Sequence, residues 1–192
     1  MSKNKIIEAA VKLFSELGYY RTSMDDIAKQ ANVAKGTLYY HFSGKSELFE
    51  SIVTEGFRIL KTEIAEVLDR HRDTDDQIRL IVQKHVEVFL TYSELVHIIS
   101  KEISNGIETE TLERIESLKK SHIDYLADVM RGGYEEGVLK PLPFELAAAA
   151  VIGMIESACL YYKKNEHRMS KAELHEVIDA FVLSTLLTEG SC

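Results

Sequence analysis

Residues 23–48 read SMDDIAKQANVAKGTLYYHFSGKSEL, and the interpretation of the whole chain turns on them. Ser23 followed three residues later by Asp26 makes a capping-box-like helix start, with acids in the first turn where the helix dipole favours them. Ile27, Ala28 and Ala31 give Met24–Ala31 one apolar face. Asn32 stands at the stop and tolerates the left-handed conformation that ends a helix. A second short helix is predicted over Lys35–His41, with Leu38 and Phe42 turned inward four residues apart. Lys35, Thr37, Tyr39, Tyr40 and His41 occupy the same stretch. A helix this short, carrying so many polar and aromatic groups, is too small to be core. Its hydroxyls, ammonium and imidazole suit the phosphates and base edges of a DNA major groove. Gly36 removes a side chain near the leading end, so the helix can approach another backbone closely. Ser43 can cap the following helix. Lys45 falls in that helix's first turn, an unfavourable place for a cation unless the end faces a phosphate that also takes the free backbone N–H groups.

The run from Ile6 to Leu48 resembles the DNA-binding domain of the TetR family of bacterial transcriptional regulators. The resemblance is carried by AAVKLFSELGYYRTSMDDIAKQANVAKGTLYYHF and the following GKSEL, with Gly18, Thr37-Leu38-Tyr39 and Lys45 in register. It covers about a quarter of the chain. It implies that Ser23 contacts a phosphate, that Lys35, Gly36, Thr37, Tyr39, Tyr40 and His41 lie on the recognition helix, and that Lys45 anchors the DNA backbone beyond it. Two positions depart from the family pattern. Asn32 stands where Gly is common, and Ala34 where Ser is common. Alanine is a poor N-cap, at a cost of about 1 kcal/mol, and offers DNA no hydroxyl.

With 192 residues, the chain is long enough to bury a substantial core. Only 2 prolines and 10 glycines, against 45% hydrophobic residues, suit an all-α protein. Cys159 and Cys192 make no disulfide framework. No signal peptide is recognised, and no apolar run is expected to reach membrane-spanning length, so a cytoplasmic protein is expected. The net charge of −8 has the wrong sign for a DNA binder. Residues 1–46, however, hold seven Lys/Arg (Lys3, Lys5, Lys12, Arg21, Lys29, Lys35, Lys45) and four acids (Glu8, Glu16, Asp25, Asp26), a balance of +3 that leaves −11 for the remainder. An acidic body repels DNA and leaves the basic head to set orientation.

Outward from this core stretch, Lys3–Leu17 reads as a bracing helix with the stripe Ile6, Ala10, Leu13, Phe14 and Leu17, closed by Gly18. Tyr19 and Tyr20 read as packing residues. Lys45 to about Arg70 is one long helix, which the resemblance makes the lever that transmits a signal. His71–Asp76 is a polar linker. Thr74 with Gln77 suggests another capping box, opening a helix to about Tyr92 with the stripe Ile78, Ile81, Val82, His85, Val86 and Phe89. A short helix with His97 is expected over Glu94–Ser104, broken by Asn105-Gly106. A long helix follows over Glu108–Glu136, with His122 in its apolar stripe. Gly137–Pro143 is a loop. Phe144–Lys164 is apolar on all sides and must be covered on all sides. Ser170-x-x-Glu173 caps the last helix. Two such apolar faces exceed what one small body needs and suggest self-association. In the TetR family the last two helices of each subunit form a four-helix dimer interface, which implies Ala147, Ala150, Gly153, Leu174, Ile178 and Phe181 as interface positions.

The fold expected is all-α with about nine helices: a DNA-binding domain at 1–46 and a ligand-binding and dimerisation domain at 47–192. His85, His97 and His122 lie on three helices without a His-x-x-x-His or cysteine pair, so a metal site is not expected. Core histidines and pocket-lining histidines remain as alternatives. Candidate ligand contacts are His85, Phe89, His97, His122, Leu126, Met154 and Glu156. Glu156, a lone charge in its apolar run, must be paired, at a pocket or at the edge of the dimer interface. No active-site motif is present, so neither an enzyme nor a cofactor is expected. A ligand-gated regulator of transcription accounts for basic head, lever and apolar body together. A constitutive architectural DNA binder would need no cavity, and a helical enzyme would need a convergent polar constellation. The reading is a homodimer on a palindromic operator, released by a small hydrophobic or amphipathic effector.

Overall fold

The computed structural model describes residues 2–70, 74–93 and 108–188. Among these residues the chain is helical, without named strands. We number the helices α1 (Ser2–Leu17), α2 (Met24–Gln30), α3 (Lys35–His41), α4 (Lys45–Arg70), α5 (Thr74–Thr91), α6 (Thr109–Glu135), α7 (Phe144–Asn165) and α8 (Lys171–Leu186). The ninth helix expected over Glu94–Ser104, with His97, lies outside the described residues, as does Cys192.

The chain divides into two compact units: residues 1–56 with 92–118, and residues 57–91 with 119–192. In the first unit α1, α2 and α3 pack on one another. Ile6, Phe14, Tyr19, Ile27, Leu38, Leu48 and Phe49 are buried. Phe14, Tyr19 and Phe49 form an aromatic triad, with ring centroids 5.4, 5.9 and 5.1 Å apart. Such pairs add about 1 kcal/mol each beyond the area they bury. Tyr19 is therefore a packing residue, whereas Tyr20 stays 42% exposed against its edge.

Local signals explain the helix ends. Ser23 Oγ accepts the Asp26 N–H and the Asp26 carboxylate accepts the Ser23 N–H, a complete capping box for α2. At its far end the Val33 N–H reaches Ala28 O and the Asn32 N–H reaches Lys29 O, the Schellman pattern. That pattern places Asn32 at φ 53°, in the left-handed region. Ser170 and Glu173 build a second complete capping box on α8. Ala34, at the start of α3, makes no side-chain cap.

In the second unit α5, α7 and α8 pack together around Val82, Val86, Ile155, Cys159, Ile178, Val182 and Leu186. The segment after α6 pairs with the segment after α8 through a Leu139–Leu187 bridge, where Lys140 N–H reaches Leu186 O and Thr188 N–H reaches Val138 O. A second apolar cluster joins Leu60, Ile64 and Val67 of α4 to Ile81, Leu126, Ala127 and Ala148. Thr74 donates to Glu136, and Gln77 to Leu68 O.

Within the protomer one side of α7 (Ala148, Ile155, Cys159) is buried and the other (Leu146, Tyr161) stays mostly exposed, the side expected to meet a second subunit. One expectation for α7 changes. By length and composition α7 is apolar enough to cross a membrane. Counting unbroken apolar residues missed this, because Glu156 interrupts a run that remains apolar on average. Its packing against α5 and α8 shows the core side of an ordinary helix.

Asn32 tests the local reading. Asn32→Gly should preserve or raise the melting temperature, whereas Asn32→Val should destabilise by about 1–2 kcal/mol, the cost of a β-branched residue in the left-handed region. Thermal melts of both variants measure this. A Val variant as stable as the wild type would mean that α2 ends differently.

Candidate nucleic-acid interface and internal cavity

Among the described residues, each unit carries one candidate site. The first is α3. Leu38 has no exposed surface and Phe42 is buried, so α3 is pinned by one side. Lys35, Gly36, Tyr39 and Tyr40 are exposed on the other, and Thr37 is half-buried. Tyr40 is 83% exposed, with the His41 ring 5.2 Å from its own. Lys35 Nζ lies 2.7 Å from an Asp25 carboxylate oxygen and 5.9 Å from the Tyr39 ring. The Asp25 carboxylate holds the Lys35 ammonium above the usual lysine range. A Cβ added at Gly36 would meet nothing within 4 Å, so the space there is open.

The remaining candidates in this unit are engaged internally. Ser23 Oγ is the N-cap of α2. His41 Nε2 lies 2.7 Å from Ser2 Oγ, tying the end of α3 to the start of α1. Ser43 lies two residues before α4 rather than at its N-cap; its N–H and hydroxyl both donate to the Glu47 carboxylate in the first turn of α4. Lys45 Nζ donates to the carbonyls of Tyr19 at 2.8 Å and Thr22 at 3.0 Å.

The second feature is a cavity of about 290 Å³ within the second unit, walled by α4, α5, α6, α7 and α8 residues. Ile78, Ile81, Leu126, Val129, Ile152 and Ile155 are among its apolar walls; Thr74, Gln77, Asp128 and Glu136 supply polar groups. Of the expected ligand contacts, His85 and Leu126 line it. His122 stands behind His85. Phe89 and Met154 pack against the apolar core. Glu156 is half-buried. Burial raises its carboxyl above the usual range, and the Lys119 ammonium lowers it in part. His97 lies outside the described residues.

His85 and His122 form a buried pair. His85 Nδ1 lies 2.7 Å from Ile81 O, a group that only accepts, so Nδ1 carries the proton. His85 Nε2 is then an acceptor and takes the N–H of His122 Nε2 at 3.0 Å. Burial pushes His85 down to about 4. Burial and then the neighbouring His85 push His122 down to about 3. The His122 ring also packs against Phe57 of α4, with centroids 5.4 Å apart. Among the described residues no cluster of three or more metal-binding side chains occurs.

On the expected dimer face the structure separates two groups. Ala150, Gly153 and Phe181 are exposed, with Leu146, Tyr161 and Val177 beside them on the same helices. Ala147 is half-buried, and Leu174 and Ile178 lie in the protomer's own core. The buried positions of α8 also include 182, 183 and 186, so the centre of its buried stripe lies well round the helix from 177 and 181, which stay exposed at the stripe's edge.

Two measurements probe these sites. Gly36→Ala should leave the fold intact or stabilise α3 by up to about 1 kcal/mol, yet weaken DNA binding, because the methyl occupies the open space. Equal DNA affinity would show that no backbone approaches there. For the histidine pair the sign follows from the lowered values. The unfolded chain takes up protons below its ordinary histidine pKa and the native chain does not. The pair's stability is thus fully present above pH about 6.5 and is lost as pH falls towards 4. Urea melts between pH 7 and 4.5 should show a shallower pH dependence in His122→Leu than in the wild type. Identical slopes would mean the pair is not neutral and buried.

Comparison with known proteins follows the same division. The family model described as "Bacterial regulatory proteins, tetR family" matches residues 6–52, and "Tetracyclin repressor-like, C-terminal domain" matches residues 71–186. The HTH-type transcriptional regulator YhgD of Bacillus subtilis is 27% identical over 184 residues, covering 96% of both chains. The fatty acid degradation regulator FadR from Bacillus halodurans superposes with a TM-score of 0.83 at 22% identity, covering 95% of this chain and 94% of that one. FadR from Bacillus subtilis, solved in complex with stearoyl-CoA, gives a TM-score of 0.80 at 23% identity, covering 94% and 97%. At these identities the two structures attest the fold alone. The second family model by itself spans more than half of the chain, and with the helix-turn-helix of α2 and α3 in front of it the chain belongs to the TetR family of bacterial transcriptional regulators.

Proposed function

We propose that this regulator is a homodimeric repressor, released from its operator by an apolar or amphipathic small molecule that enters the cavity of the second unit. The observation that carries the reading is the pairing, in one chain, of an α3 with exposed Lys35, Gly36, Tyr39 and Tyr40 over buried Leu38 and a cavity with mainly apolar walls. Residues 1–46 serve as the DNA-binding domain, and residues 47–192 bind the effector and the second subunit. Lys35 and Thr37 read base edges or phosphates, and Tyr39 and Tyr40 flank them. Two α3 helices in a dimer then meet successive major grooves about 34 Å apart on a near-palindromic site. The exposed stripe of Leu146, Ala150, Gly153 and Tyr161 on α7, with Val177 and Phe181 on α8, supplies the dimer face. The protein acts in the cytoplasm and is not an enzyme.

The effector class is supported by the cavity walls and by the stearoyl-CoA bound in the Bacillus subtilis structure; an aliphatic chain fits walls of Ile, Leu and Val. Gating needs differential affinity. To weaken operator binding a hundredfold the effector must prefer the released conformation by about 2.7 kcal/mol, and by reciprocity the operator weakens effector binding by the same factor.

Titration of long-chain acyl-CoA esters into the protein, with and without a duplex selected by the protein from a random pool, measures this directly. Effector affinity should fall on adding the duplex, and Ile155→Trp, which fills the cavity, should abolish the response while duplex binding persists. Equal effector affinity in both titrations would rule out gating by that compound.

A further inference from the structure

The least conventional contact in the first unit belongs to Lys45. It occupies the first turn of α4, where the helix dipole disfavours a cation. Its ammonium is held by the protein itself. Nζ donates to Tyr19 O at 2.8 Å and Thr22 O at 3.0 Å, and lies 3.5 Å from Tyr20 O. It also lies 4.4 Å from the centre of the Tyr19 ring, a favourable cation–π distance. The carbonyls belong to the turn that joins α1 to α2. They offset the dipole at the head of α4, because the cation is neutralised by oxygen dipoles on its other side. Burial lowers the Lys45 pKa, as expected for an ammonium drawn in from solvent.

The turn is fixed at both ends. Thr22 Oγ1 donates to Leu13 O and Gly18 O, anchoring the turn on α1. Tyr19 is buried in the aromatic triad, and its hydroxyl lies 3.3 Å from Ser46 Oγ, the residue after Lys45. The next residue, Ser23, is the N-cap of α2, and α2 packs on α3. A chain of short contacts thus runs from the first turn of α4 through the α1–α2 turn to the recognition helix.

We propose that Lys45 acts in DNA binding as a positioning residue: its ammonium ties the first turn of α4 to the Tyr19–Thr22 carbonyls and so sets the entry of α2 and the seating of α3. The inference rests on the reading of the chain as an operator-binding protein. It differs from the phosphate anchor that the family resemblance implies for Lys45, and the two roles separate in measurable quantities. A lost phosphate contact weakens binding to every sequence alike and lowers the salt slope. A lost positioning contact degrades the fit to the chosen sequence and leaves the charge count at the DNA surface unchanged.

The test uses the full chain, a duplex selected from a random pool by the wild type, and a scrambled duplex, across a series of KCl concentrations. Lys45→Met keeps the length of the side chain without donors or charge. Lys45→Gln keeps two N–H donors without the charge. Lys45→Met should lose about tenfold or more in affinity for the selected duplex, with scrambled-duplex affinity and its salt slope unchanged. Lys45→Gln should recover part of that loss, although it is equally uncharged. Circular dichroism and thermal melts establish that each variant is folded; if Lys45→Met is not, Lys45→Gln against wild type carries the same comparison. The proposal is overturned if the salt slope falls by about 1 on both duplexes, the selected-to-scrambled ratio stays at its wild-type value, and Gln is no better than Met. A wild type that selects no duplex would instead overturn the operator-binding reading, and this inference with it.

Discussion

The burial of Leu38 is the constraint on which α3 depends. A helix of 7 residues falls well short of the length at which a peptide helix holds itself together in water, about 12–15 residues. Ala34 gives it no side-chain cap. What fixes it is tertiary: Leu38 and Phe42 are buried against α1 and α2, and fully burying such side chains contributes about 1.5–3 kcal/mol each. With one side committed in this way, the other stays exposed, with Lys35, Gly36, Tyr39 and Tyr40 on it. The exposed Tyr40 and the open space at Gly36 are affordable because Leu38 supplies the stability that they do not.

Most of the first unit was legible because its signals are local. The Ser23–Asp26 box, the Asn32 stop, the inward pair Leu38 and Phe42 and the limits of α3 all lie within a few residues of one another, and the structure reproduces them. What was illegible lies at long sequence separation or depends on helical phase. The Lys45 cation had an unfavourable position in α4, and the sequence offered a phosphate to explain it. The carbonyls that take it are 23 and 26 residues away. His85 and His122 could each be placed in an apolar stripe, but a bond across 37 residues could not be read. In α8 apolar residues run nearly all round, so the pattern does not say that Ile178 faces the core and Phe181 faces out.

The histidine pair changes how the cavity can work. Both ring nitrogens of His85 are engaged, Nδ1 by Ile81 O and Nε2 by His122. His85 therefore contributes an imidazole edge to the wall without a spare donor. The other polar groups of the lining, Thr74, Gln77, Asp128 and Glu136, already bond within the protein, so the rest of the cavity wall is set by shape and apolar area. A polar pair inside an apolar unit also narrows the packings available to it. A shift between α5 and α6 that separates the two rings leaves two buried nitrogens unsatisfied, which costs far more than sliding apolar side chains past one another. The pair is thus a register lock between α5 and α6, and Phe57 of α4 rests on its outer ring.

Charge completes the argument. The chain carries −8 overall and +3 over residues 1–46. Even there, Lys35 is paired with Asp25, Arg21 bonds Leu17 O, and Lys45 is spent on the α1–α2 turn. The Lys35–Asp25 pair is exposed and screened, so a phosphate can replace the carboxylate at little cost. Asp25 nonetheless remains beside the site as a like charge to that phosphate, and the acidic remainder of the chain repels DNA in the same sense. Non-specific adhesion, which scales with the number of phosphates neutralised, is therefore weak by construction. Under the proposed reading, affinity then comes from fit: base-edge contacts along α3 and close approach at Gly36, where the space is open. Fit is sensitive to small errors in the seating of a two-turn helix. Under that demand a lysine that holds the turn in front of α2 does more for recognition than one more cation at the surface.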